Sequence, residues 1–301
     1  MTRDALAVAL EDAIAAATDE RFELLGRAPV GGGSIHTALR IEGRAGDASR
    51  TYFAKVNEAS TAALFEAEAD GLAALRESGA VRVPRTIAQG HDEEAAWIVL
   101  EWLELVPLAA PGAARLGEAL ATLHARHLER FGWGRDNFIG ASPQANGWSG
   151  DWLAFFQEHR LHAQLRMAAR NRLPSRMIDR GERLLADCGA FFSGYEPYPS
   201  LLHGDLWSGN AAALADGMPV VFDPAVYAGD READVAMTEL FGGFPRDFFA
   251  RYCDHLPLHD GYRARRDLYN LYHRLNHANL FAGGYVRESE GAIERLLAEL
   301  A

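Results

Sequence analysis

In HGDLWSGN an aspartate, Asp205, stands five residues ahead of an amide, Asn210, and thirteen residues later a second aspartate, Asp223, closes the apolar run of PVVFDPAVYAGDRE. These residue types move a proton and hold a cation. Asp205 can orient an alcohol and take its proton, Asn210 offers a neutral amide oxygen to a hard cation, and Asp223, behind Val220, Val221 and Phe222, offers an anionic one. Transfer of a phosphoryl group from ATP needs donors around the triphosphate and a cation on its α and β phosphates as well. Lys55 in YFAKVNE falls in a strand-like alternation beside aromatics, where an ammonium is costly to bury unpaired. Glu68 in FEAEADGL is the carboxylate offered to it, with Glu66 as the second choice. Gly31, Gly32 and Gly33 in VGGGSIHTAL would let backbone N–H groups approach phosphates. Taken singly, each piece has a plainer reading, since Asp and Asn beside glycine are turn formers and three glycines make a turn. Their order is what points to phosphoryl transfer: glycine turn, strand lysine, helix glutamate, then Asp, Asn and Asp.

Positioning these groups requires two unlike halves. Residues 4–17 have the pattern of an amphipathic helix, and FELLGRAPV, IHTALRIEG and RTYFAKVNE follow as strands. A helical period returns over 60–78, with Leu64, Ala67, Ala74 and Leu75 on one side. RTIAQG and AAWIVLEWL then read as two more strands, divided by the turn HDEE. Pro107 and Pro111 break the pattern, and beyond them helices are expected over 112–130, 150–170, 176–191, 231–241, 246–254, 262–280 and 287–300. FGWGRDNFIGASPQANGWSGDW is a long loop, of a length usually kept for function. The expected division is a nucleotide-binding lobe over 1–104, with its hinge at 101–104, and a catalytic and substrate lobe over 105–301, with a ligand cleft between them.

Composition excludes several classes. With 42 acidic and 30 basic side chains the formal charge is −12, which argues against nucleic acid or a membrane surface as partner. Cys188 and Cys253 are too few for a disulfide framework, and the N-terminal stretch mixes acids into its alanines where a signal peptide would be uninterruptedly apolar. The most apolar window carries Glu101 and Glu104, so no membrane span is expected, and the location expected is cytoplasmic. Composition and motifs leave the oligomeric state open.

YFAKVN, FEAEADGLAAL, HGDLWSGN and FDPAVYAGDREADVAMTELFGGF resemble the fructosamine kinase (ketosamine 3-kinase) family of protein-kinase-like small-molecule phosphotransferases. FGWGRDNFIG, GWSGDWLAFFQEHRL and LYNLYHRLNHANLFAGGY extend that resemblance nearly end to end. The resemblance implies an α+β, bilobed protein-kinase-like fold: a small lobe with an antiparallel sheet and one helix, and a larger, mainly helical lobe. It implies ATP and Mg²⁺ as cofactors. Lys55 would hold the α and β phosphates and Glu68 would orient it; Asp205 would be the base; Asn210 and Asp223 would ligate the metal. The backbone of Glu101, Trp102 and Leu103 would read adenine, and Ser34 and Ile35 would join the glycines at the phosphates. Trp207 would wall the acceptor pocket, with Asp230 and Arg231 shaping it. The reaction implied is phosphorylation of the 3-hydroxyl of a ketosamine (ribulosamine, erythrulosamine or fructosamine), free or on a protein lysine. Asp223-Pro224-Ala225 replaces the DFG of protein kinases and no activation segment follows, which argues against a peptide hydroxyl as acceptor. The alternatives are a kinase of another small alcohol, such as an aminoglycoside, choline or homoserine, and an inactive nucleotide-binding scaffold. The retained carboxylates oppose the latter. His203 is expected to bond a backbone carbonyl, and Trp133, Trp148 and Trp152 either to stack on a sugar or to pin the loop. His273 and His277, one helical turn apart, lack a third ligand for zinc.

Overall fold

The computed structural model describes residues 4–31 and 35–301; Gly32, Gly33 and Ser34, expected at the phosphates, lie outside the described residues. The chain opens on α1 (Ala5–Thr18), capped by Asp4, whose side chain accepts from the Leu6 N–H at 3.0 Å. Five strands follow: β1 (Phe22–Pro29), β2 (Thr37–Ala45), β3 (Ala48–Glu58) and, after helix α2 (Ala62–Ser78), β4 (Thr86–His91) and β5 (Ala95–Glu101). They form one antiparallel sheet in the order β1-β2-β3-β5-β4. Alternation along β3 sorts its side chains to two faces. Tyr52, Ala54 and Val56 pack with Leu10 and Ile14 of α1, while Phe53 packs on the other side with Phe65 and Leu72 of α2. Lys55 shares the α2 face with Phe53.

The large lobe begins with α3 (Ala110–His124), which carries Pro111 in its first turn and stops six residues short of its expected end. The long loop folds back on itself as a hairpin of β6 (Asn137–Ile139) and β7 (Ser142–Gln144). Next come α4 (Trp152–Phe156), a π-helical stretch over Gln157–His162, α5 (Ala163–Arg170) and α6 (Ser175–Asp187).

Four short strands then place the chemistry: β8 (Ser200–Leu202), β9 (Ala211–Ala213), β10 (Pro219–Val221) and β11 (Tyr227–Gly229). β8 pairs with β11 and β9 with β10, so the two connections 203–210 and 222–226 both run from one ribbon to the other. Pairing of Leu202 with Tyr227 and of Ala211 with Val221 brings these connections side by side, and with them Asp205 and Asp223.

Helices α7 (Arg231–Thr238), α8 (Arg246–His255), α9 (Tyr262–Phe281) and α10 (Gly284–Glu299) complete the lobe. All eight residues of α7 are buried, which makes the acidic run there part of the core rather than a solvated helix start. Among the described residues no helix is long and apolar enough to cross a membrane.

Candidate active site

Lys55 is the centre of the small-lobe half. It is only 8% exposed, and its Nζ lies 2.6 Å from Glu68 Oε1 and 2.7 Å from Asp223 Oδ1. Burial by itself would lower its pKa, but the carboxylates of Asp223 and Glu68 outweigh it and push the ammonium well above its ordinary value. The lysine is therefore charged, bridging the lobes. Glu66, the second choice, faces away and pairs with Arg135 at 3.2 Å, a guanidinium that also meets Asp70 at 2.6 Å. A Cβ on Gly71 would sit 3.1 Å from Pro224 Cγ, so α2 docks directly on the chain that follows Asp223.

The large-lobe half is held by the two side-by-side loops. Asn210 donates from Nδ2 to the Asp205 backbone oxygen at 2.8 Å and to its carboxylate at 3.0 Å. The amide nitrogen is thus turned into the loop, and Oδ1 is the Asn210 atom left to ligate. Asp223 has φ +57°, the left-handed region that a residue with a Cβ rarely adopts and that functional sites retain. Gly204 has φ +82°, and a Cβ there would fall 2.0 Å from the Ala225 oxygen, so only glycine lets the loops approach so closely. Burial, then the nearby charge of Asp223, push the Asp205 carboxyl up to about 7, against the pull of the Asn210 hydrogen bond. A carboxyl titrating there is matched to proton transfer near neutral pH. Asp223 with Asn210 Oδ1 gives a carboxylate and an amide oxygen, donors suited to Mg²⁺, whose other positions go to phosphate and water.

Asp234 is the residue that sequence reasoning missed. Buried on α7, it accepts from the backbone N–H of His203 at 2.7 Å and of Gly204 at 2.8 Å, and faces His124 Nε2 at 3.3 Å. Burial would raise its pKa; the hydrogen bonds from His124 and the Gly204 N–H prevail and hold it low. It anchors the loop that carries Asp205. His203 bonds the Phe222 carbonyl through Nε2 at 3.0 Å, as a structural residue would.

Asp230 and Arg231, expected to shape the acceptor pocket, are placed apart from the Lys55 cluster. Asp230 is fully buried, accepting from the Tyr195 hydroxyl at 2.9 Å, from the Glu232 N–H at 2.9 Å, and from the Tyr269 hydroxyl. It lies beyond the far end of the β8–β11 ribbon, where Ser200 pairs with Gly229, away from the catalytic loops. Arg231 donates to Tyr252 Oη and to the carbonyls of Leu256 and Pro257, and with Tyr195, Tyr198 and His259 lines a cavity of about 380 Å³ that includes none of the Lys55 cluster.

Trp207 is placed differently. Its ring meets Phe241 edge-on with centroids 6.0 Å apart, Phe241 meets His277 at 4.5 Å, and His277 meets Tyr285 at 5.1 Å and Phe281 at 5.6 Å. Phe281 is half exposed, and Phe241 sits at φ +52°. An aromatic row therefore starts two residues after Asp205. Trp152 instead lies in the core with its Nε1 donating to Tyr269, Trp133 is packed and partly buried, and Trp148 is exposed beneath Arg130. Among the described residues no cluster of His, Cys, Asp or Glu could enclose a metal by itself, His273 and His277 included.

At the hinge, the Glu101 side chain is taken by Arg82 at 2.6 Å and by the Arg85 N–H at 3.0 Å, while Trp102 Nε1 donates to Glu104 at 2.6 Å. The side chains of Glu101 and Trp102 are thus committed, and the Glu101 N–H is bonded to the Arg85 carbonyl at 2.9 Å. Gly31 is exposed above the β1–β2 pair, closed beneath it by the Val30 N–H to Ala38 at 2.9 Å, and Ile35 accepts from Asn57 at 3.1 Å.

A five-stranded lobe with a lysine–glutamate pair, set over a helical lobe that presents Asp, Asn and Asp on adjoining loops, is the frame of the protein-kinase-like phosphotransferases. The fructosamine kinase family profile matches residues 7–299, and the chain belongs to that family. It is 43% identical over 289 residues to a probable ketoamine kinase of Synechocystis sp., covering 94% of each chain. It is 38% identical over 271 residues to the chloroplastic protein-ribulosamine 3-kinase of Arabidopsis thaliana, covering 89% of this chain and 81% of that protein. The crystal structure of a presumed fructosamine-3-kinase of Haemophilus somnus 129PT superposes with a TM-score of 0.86 at 29% identity, covering 96% of each chain. The bilobed α+β fold is thus that of fructosamine kinase structures, and the chemistry is kinase-like phosphotransfer from a nucleotide.

Proposed function

We propose that the protein transfers the γ-phosphoryl group of ATP to the 3-hydroxyl of a ketosamine. The carrying observation is the join between lobes: a charged Lys55 held by Glu68 and Asp223, beside an Asp205 carboxyl titrating at about 7. Lys55 would hold the α and β phosphates, and Glu68 keeps its ammonium aimed across the cleft. Mg²⁺, held by Asp223 and Asn210 Oδ1, would supply neutralising charge at the β and γ phosphates. Asp205 takes the proton of the acceptor hydroxyl as its oxygen bonds to the γ phosphorus; the bond to the β,γ-bridging oxygen breaks and ADP departs. The aromatic row from Trp207 to His277 supports the choice of acceptor, because a sugar face stacks on such rings and the secondary ammonium of a ketosamine is drawn to their π faces. The names of the Synechocystis and Arabidopsis relatives support it too.

The test offers ribulose-lysine, fructose-lysine, the parent sugars, an aminoglycoside and choline with ATP and Mg²⁺. ADP release is followed and the new phosphate is located by NMR. Turnover of a ketosamine with phosphate on O3 is expected, with the amine-free sugar poorer by about tenfold, as loss of a charge-assisted contact implies. Faster turnover of choline or the aminoglycoside than of every ketosamine, or phosphate on a terminal carbon, refutes this acceptor.

A further inference from the structure

Strand register puts one more side chain beside Lys55. Ala38 on β2 stands directly opposite Lys55 on β3, and Thr37 opposite Val56. Side chains alternate along a strand, so His36 and Asn57, each two residues from that pair, share the sheet face that Lys55 occupies. The contacts agree: Asn57 Nδ2 lies 2.9 Å from His36 Nδ1, and the imidazole leans on Phe65 of α2 with centroids 4.9 Å apart.

The Asn57 amide settles which ring nitrogen carries the proton. Its Oδ1 accepts from the Glu58 N–H at 2.8 Å, and its Nδ2 donates to the Ile35 carbonyl at 3.1 Å, a group that can only accept. The atom facing His36 Nδ1 is therefore a donor nitrogen, Nδ1 accepts, and the hydrogen sits on Nε2. Nε2–H has no hydrogen-bond partner among the described residues, and the half-buried ring is not sealed from solvent. Burial, then the charge of Lys55, push the imidazole down to about 4 against the opposing charge of Asp223, so it is neutral at pH 7. The ring stands on the sheet face that Lys55 occupies, against Phe65 of α2.

We propose that His36 is a phosphate-binding residue, its Nε2–H donating to an oxygen of the terminal phosphates of the bound nucleotide. This rests on the nucleotide reading above. A neutral donor suits the place: it adds a hydrogen bond to an anion without setting a second cation against Lys55. Asn57 acts through the ring, as a positioning residue.

Calorimetry with adenosine, AMP, ADP and a non-hydrolysable ATP analogue, on the wild-type chain, His36→Ala, His36→Gln and Asn57→Leu, tests the assignment. Thermal midpoints establish that each variant folds. His36→Ala should bind ADP and the ATP analogue about tenfold more weakly, the scale of one hydrogen bond to an ionised group, with adenosine and AMP unaffected. His36→Gln, which keeps an N–H donor, should recover part of the loss, and Asn57→Leu should show part of it. Equal losses for all four ligands would make His36 a merely structural residue and overturn the proposal, as would unchanged affinity for ADP and the analogue. Failure of the wild-type chain to bind any of the four would overturn the nucleotide reading and this inference together.

Discussion

Six carboxylates fall within thirty residues of chain; Asp216 is exposed on a turn, and the structure divides the other five, Asp205, Asp223, Asp230, Glu232 and Asp234, into two sets. At the start of α7 and along it, each acid is provided with donors. Asp230 has two tyrosine hydroxyls and an N–H; Glu232 has the Arg265 guanidinium, with Nε at 2.7 Å, and the His259 N–H at 3.2 Å; Asp234 has two loop N–H groups and His124. On the adjoining loops, Asp205 has one amide and Asp223 one ammonium. A carboxylate can accept about four hydrogen bonds, so the loop acids keep capacity for a substrate or cation while the helix acids have largely used theirs. A raised pKa does not separate the sets, since burial and the charge of Glu232 lift Asp230 to about 6, not far from Asp205. Unspent hydrogen-bonding capacity facing the cleft does.

The largest expected effect sharpens the division at Asp205. Asp205→Asn keeps the loop's shape and removes the proposed base, so kcat should fall by roughly 10² to 10⁴. Its carboxyl is held above the ordinary 3.8, at about 7, so the folded state favours the protonated form, and that stabilising contribution is lost as pH rises from about 4 to 7. The variant should therefore melt higher than the wild type at pH 8. In the wild type, kcat/KM should rise with pH through about 7 as the base form appears. A loss in kcat of less than about threefold would move the base elsewhere.

Asp234→Ala should behave in the opposite way. It strands two buried backbone N–H groups and a buried imidazole, and each buried donor left without a partner costs about 1 to 3 kcal/mol. Urea midpoint and kcat should drop together, whereas Asp205→Asn separates them. An Asp234→Ala variant of normal stability would break the comparison.

Much of the cleft was legible in sequence because its pieces are local. Lys55 follows from alternation in one strand, and Asp205 with Asn210 from one loop. Glu68 was separable from Glu66 only as a preference, because the deciding partner of Glu66, Arg135, is 69 residues away. Asp234 was illegible for the same kind of reason: its use depends on β8–β11 pairing, which hands it N–H groups 30 and 31 residues back along the chain. The reading of Asp230 and Arg231 as pocket residues came from family likeness, which does not carry the packing of α9 and of Tyr195 over the start of α7. The expected helix over 112–130 overran because its start has a proline signal whereas nothing in its last turns marks a stop.

The smallest effect is expected at Asp230, and it tests whether packing or likeness reads that run correctly. Were Asp230 to meet the amine of an acceptor, Asp230→Asn would erase much of the preference for ketosamine over parent sugar. In the structure its oxygens face Tyr195 and Tyr269 behind the β8–β11 ribbon, so the ratio of kcat/KM for the two acceptors should stay within about twofold, below the tenfold that a lost charge-assisted contact implies. The change should appear instead in stability against pH. Burial holds the Asp230 carboxyl at about 6, above its ordinary 3.8, so its protonated form contributes stability that is lost as pH rises between those values. An asparagine cannot ionise, and its carbonyl oxygen still accepts from one tyrosine while the other hydroxyl turns to accept from the amide. The melting temperature of Asp230→Asn should therefore fall less steeply than that of the wild type between pH 4 and 6, with both acceptors still turned over. A collapse of the acceptor ratio with an unchanged pH slope would put Asp230 at the substrate after all, and the division between spent and unspent carboxylates would fail at its boundary.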